Sequence, residues 1–170
     1  ELFDFISGHN RAYFEVQDPV NIKAAELMGE LHDSIESSGY IGHNLELYLV
    51  RLLFCLFADD ADIFDKNLFQ NFLKNKTSKD GSDLGPLIEQ VFQILNTPKE
   101  NRLLNLDHDL AKLPYVNGGL FNEKIPIASF DSQMRLSLLK CGGLDWSKIS
   151  PAIFGSMFQS VMNPEERRNL

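Results

Sequence analysis

The chain is poor in the residues that mark several large protein classes. It has two cysteines, Cys55 and Cys141, far apart and without CxxC spacing. That excludes a disulfide framework and a zinc ribbon, and it fits a reducing cytoplasm. The N-terminal Glu1-Leu-Phe-Asp-Phe5 lacks a basic region followed by an apolar core, so no secretory signal is read there. No apolar run reaches the roughly twenty residues that a membrane span requires. Basic residues are few: 16 Lys and Arg stand against 24 Asp and Glu, giving a net charge of −8. Such a balance argues against a broad polyanion-binding face, although a small local contact stays compatible with it.

Chemical signatures are missing as well. A common nuclease arrangement places an acid two positions before a lysine, so that metal ligand and base share one strand. None of the ten lysines has that neighbour. Neither a GxxxxGK[ST] loop nor a GxGxxG turn is present. The one Asn-Pro pair, Asn163-Pro164, runs into Glu165-Glu166 and reads as a helix start, not as a grip for a target amine. The sequence therefore assigns no catalytic, cofactor-binding or metal residue.

What remains is apolar and helical. Hydrophobic residues make up 44% of the chain, with thirteen Phe, enough for one domain that hides about two-thirds of its unfolded surface. Residues 1–17 mix aromatics and polar groups without a period, as in a short strand pair or a lead-in. Asp18-Pro19 opens a helix with a capping acid and a first-position proline, and Gly39 ends it. Val20, Ala24, Leu27, Met28, Leu31 and Ile35 form its apolar face. From Leu45 to Ala58, twelve of fourteen residues are apolar, which predicts the fully buried centre of a bundle. Arg51 has no charged partner on that helix. Because a buried unpaired guanidinium is costly, a carboxylate from another segment is expected beside it, with Glu30, Asp33, Asp107 and Asp109 as candidates.

Asp65 is expected to cap a helix over 66–75, and Asp83 one that carries Leu87, Ile88, Val91, Phe92 and Leu95. Between them, Lys76–Ser82 reads as an exposed, mobile loop. Thr97-Pro98-Lys99-Glu100 has capping-box spacing and should start another short helix. Asn117-Gly118 is a type I′ turn signal, so a hairpin or extended insertion is expected near 113–130. Asp131 should cap a helix ending at Gly142-Gly143. All seven prolines fall at element starts or in loops. The predicted fold is an all-α helical bundle around one apolar central helix.

Clusters that suggest chemistry have simpler explanations. Asp59, Asp60 and Asp62 suit helix stops and caps better than a metal-hydrolase centre. Asp107-His108-Asp109 lacks further ligands at metal spacing and reads as a surface turn. Cys141 has no adjacent base. Asn117-Gly118-Gly119 suits a tight turn better than a phosphate cradle. Glu165-Glu166-Arg167-Arg168 places acids, then bases, along a helix start. Lys74, Lys76, Lys79, Arg167 and Arg168 are the candidates for a contact with a DNA backbone.

Four ordered runs carry a family likeness: Asn21-Ile-Lys-Ala-Ala-Glu-Leu-Met-Gly-Glu-Leu-His-Asp33, Val50-Arg-Leu-Leu-Phe-Cys-Leu-Phe-Ala-Asp-Asp60, Leu113-Pro-Tyr-Val-Asn-Gly-Gly-Leu-Phe121 and Asp145-Trp-Ser-Lys-Ile-Ser-Pro-Ala-Ile-Phe-Gly-Ser-Met-Phe158. Together they resemble the helical spacer of MmeI-like restriction-modification enzymes, running into the front of their methyltransferase domain. The resemblance implies residues 1–143 as spacer and 144–170 as helices leading into a truncated methyltransferase domain. It also implies a parent with an N-terminal nuclease and an S-adenosylmethionine-dependent DNA adenine methyltransferase. The family's Gly-x-His-Tyr-Thr cofactor motif is not reached, so this stretch is expected to be a cytoplasmic, non-catalytic piece that meets DNA through its parent.

Overall fold

In a computed structural model, residues 19–150 and positions 152, 155 and 156 are described. Helix α1, Pro19–Ser37, forms because its apolar residues recur at helical spacing; Ala24, Leu27, Met28, Leu31 and Ile35 are all buried. Gly39 at φ +95° then turns the chain, a conformation that an L side chain resists. The aromatic lead-in, Asp18, Arg167 and Arg168 lie outside the described residues.

Helix α2, Gly42–Asp60, is longer than its apolar run. It buries Leu45, Tyr48, Leu49, Val50, Leu52, Leu53, Cys55, Leu56 and Ala58, and half-covers Leu47, Phe54 and Phe57. Each fully buried Leu or Phe contributes about 1.5–3 kcal/mol, so this helix organises the core. It packs against α1, against α3 (Leu68–Lys76) and against a 3-10 turn, Trp146–Lys148. Helix α6, Ser132–Gly142, lies along α1 and α3. Helix α4, Leu84–Leu95, joins through aromatics: Tyr48 and Phe92 are 5.5 Å apart edge-on, and Phe92 and Phe121 are 5.4 Å apart. The short α5, His108–Ala111, sits against α4.

The 113–130 insertion is irregular chain interrupted by a turn at 120–122, where Asn122 N donates to Gly119 O at 3.2 Å, with no strand pairing among the described residues. The left-handed positions are Gly118 and Gly119, not Asn117 and Gly118, so the type I′ hairpin does not form. Instead Val116 N donates to Leu95 O at 2.8 Å, and the segment runs across the bundle. It approaches α4 so closely that a Cβ at Gly85 would stand 1.7 Å from the Ala128 carbonyl oxygen.

One further expectation is corrected. The capping box at Thr97 is absent: the Thr97 hydroxyl donates to Gln93 O, and a single 3-10 turn, Lys99–Asn101, follows. The Lys76–Ser82 loop is exposed at 76, 78–80 and 82, as expected, and is bonded to its surroundings at several points. Asp83 accepts from Ser78 N and Oγ, Asp80 accepts from Ser82, and Gly81 is buried against Asp131.

Candidate functional site

The acidic end of α2 is a structural hub. Asp59 is buried, and its two carboxylate oxygens accept from Phe69 N and Gln70 N, both at 2.8 Å. These are first-turn N–H groups of α3, so Asp59 caps that helix from ten residues upstream. The expected cap, Asp65, is displaced because Asn67 adopts a left-handed φ of 58° at the N-cap position. Burial raises the Asp59 carboxyl to about 6, despite the opposing pull of the two backbone N–H groups. Asp60 accepts from Trp146 N at 2.8 Å.

A cleft of about 440 Å³ opens beside this hub, lined by Asp60, Asp62, Lys66, Gln70, Lys74 and Gly142, among others. Gln70 fills its inner wall so tightly that a Cβ at Gly142 would meet Oε1 at 1.8 Å. Asp59, Asp60 and Asp62 do not converge as metal ligands. The group within 4.8 Å among the described residues is His32, Asp33 and Glu36, at the surface of α1. Asp107 caps α5 and pairs with Lys76 at 3.3 Å, so the Asp-His-Asp run is the exposed start of that short helix and not the expected turn. Cys55 and Cys141 are buried free thiols, and burial pushes Cys141 up to about 12.

Arg51 is buried, but its partners differ from the expected ones. Nε donates to Leu120 O at 2.9 Å and Nη2 to Glu123 O at 2.6 Å. The guanidinium also lies over the Phe92 and Phe121 rings, 5.5 and 5.6 Å from their centroids. No ion pair among the described residues includes it. Burial lowers its pKa, and the charges of Glu89 and Glu123 oppose that at longer range. Glu30, Asp33, Asp107 and Asp109 play no such part. The turn around 120–123 supplies the two main-chain carbonyls and the Phe121 ring, and α4 supplies the Phe92 ring.

Arg102 and Arg135 repeat this solution. Arg102 donates to Thr97 O, Leu113 O and Ile94 O, and Arg135 to Thr77 Oγ1, Leu73 O and Lys74 O. All three described arginines thus hold backbone, and none presents its fork to a phosphate. Of the proposed DNA-contacting residues in the described range, Lys74, Lys76 and Lys79 are exposed, with Lys76 engaged by Asp107. Sequence reasoning missed Arg135, Gln70, Glu89 and the Gly85 contact. Carbonyl partners leave no side-chain signature, and a close approach shows only as a glycine tolerated inside a helix.

Residues 43–121 match the family model described as MmeI, helicase spacer domain. DNA methyltransferase A of Bacillus subtilis (strain 168) is 39% identical over 177 residues, spanning 100% of this chain and 20% of that protein. A structure of the Type IIL restriction-modification enzyme MmeI in complex with DNA superposes with a TM-score of 0.79 at 60% identity, over 89% of this chain and 20% of that one. The chain thus spans about a fifth of the length of these relatives. The family model spans two of the four sequence runs, the curated relative spans them all, and the described residues are helical without strands: the chain belongs to the MmeI-like restriction-modification enzymes, as their helical spacer region.

Proposed function

We propose that this region is a non-catalytic spacer that holds the nuclease and methyltransferase domains of a larger enzyme at fixed geometry, so that cleavage falls at a set distance from the recognition site. The observation that carries this reading is the inward commitment of Arg51, Arg102 and Arg135. Each clamps irregular backbone or a helix end onto the core, which suits a stiff strut. In this reading residues 1–143 form the spacer and 144–170 lead into the methyltransferase domain. S-adenosylmethionine serves the parent enzyme, DNA is its partner, and its compartment is the cytoplasm. No described helix is long and apolar enough to cross a membrane. The test is to replace the spacer in the full-length enzyme with a flexible Gly/Ser linker of equal length. Scattered cut positions with retained methylation are expected; an unchanged cut position would overturn the reading.

A second reading has the spacer touch the DNA backbone, since Lys74 and Lys79 are exposed and the MmeI neighbour was solved with DNA. DNA binding by this chain should then weaken steeply with salt, and Lys74→Ala with Lys79→Ala should flatten that dependence. No binding at low salt would dismiss it.

A further inference from the structure

The segment after α6 is held to the bundle by two side chains from different helices. Asp60, the last residue of α2, accepts from Trp146 N at 2.8 Å. Asn21, in the first turn of α1 and 3% exposed, accepts from Ser150 N through Oδ1 at 3.1 Å. Between these two anchors the chain buries Trp146 completely and Ile149 almost so. The indole Nε1 donates to Cys141 O at 2.9 Å, which ties the same turn to the end of α6. Residues 146–150 are thus fixed at three points against three helices, without a regular element longer than one 3-10 turn. Such a short irregular stretch would ordinarily serve as a hinge, because a few dihedral changes there redirect everything that follows. Capturing its N–H groups on side-chain oxygens removes that freedom, since each donor would lose a partner when the segment swings.

We infer that Asp60 and Asn21 are positioning residues: they lock residues 146–150 and so set the direction in which the chain leaves the spacer toward the methyltransferase domain. The inference rests on the spacer reading above and names the atoms that make the joint stiff.

The test uses the full-length enzyme with one spin label at an exposed position of α1, such as Glu26, and a second in the methyltransferase domain. The unsubstituted enzyme should give one narrow distance distribution. Asn21→Ala combined with Asp60→Ala should lose the narrow peak, while Asp60→Asn, which keeps an acceptor oxygen, should retain it. If the double variant fails to fold, Ser150→Pro removes one donor and leaves both helices untouched, and it should broaden the distribution too. A distribution that stays narrow in the double variant, or in Ser150→Pro where that replaces it, overturns the inference and leaves the spacer reading standing. A broad distribution in the unsubstituted enzyme overturns both.

Discussion

Helices α1 and α3 reach stability by opposite routes. Helix α1 has nineteen residues and an apolar stripe, with no acid in its first turn and no base in its last. Helix α3 has nine residues, fewer than an isolated helix needs to persist, and it is held at both ends from outside. Asp59 puts a carboxylate on its N-terminal N–H groups, and Arg135 puts a guanidinium on the Leu73 and Lys74 carbonyls. Both signs complement the helix dipole. A long helix can rely on area alone, whereas a short one in the same core depends on charges supplied by other elements.

The contrast predicts global failure from α1 and local failure from α3. Leu31 is completely buried, so Leu31→Ala should cost about 3–5 kcal/mol and shift the whole unfolding transition, read by urea denaturation. Arg51→Ala should follow at about 3–4 kcal/mol, because two carbonyls lose their donor and the ring-lined space empties. A melting temperature equal to that of the unsubstituted protein would refute the clamp. Asp59→Ala and Arg135→Ala should each cost about 2 kcal/mol, with amide exchange accelerating in 68–76 well before it does in α1. Uniform acceleration across both helices would erase the distinction.

The smallest effect is a pH dependence. Asp59 titrates near 6 in the folded chain against an ordinary 3.8, so the folded state binds that proton more tightly. The stability linked to that proton is therefore complete below about pH 4 and is lost as pH rises to about 6, by at most about 3 kcal/mol, while the two N–H bonds to the carboxylate remain. Asp59→Asn keeps one acceptor and cannot ionise. The difference between the two proteins' urea stabilities should change across pH 4–6 and be flat above it; a constant difference would reject the assignment.

The same contrast explains what could be read from sequence. The apolar stripe of α1 and the run around Arg51 repeat at the helical period, so both helices and the burial of Arg51 were legible. The partners of Arg51 were not, because Leu120 and Glu123 contribute main-chain oxygens that any residue would offer. Asp59 could not be told from Asp60 or Asp62 within one acidic run, since the choice depends on where α3 returns in space. Asn117-Gly118 misled because a local turn preference gave way to packing of the irregular 113–130 segment against α4. The absence of known chemical motifs was legible directly, as was the family.

Trp146 is the chain's one tryptophan, completely buried and bonded through its indole to Cys141 O. It therefore gives the joint a built-in optical probe. Emission excited at the indole band reports on residues 146–150 free of any other tryptophan in this region, and release of the turn into water would shift it to the red.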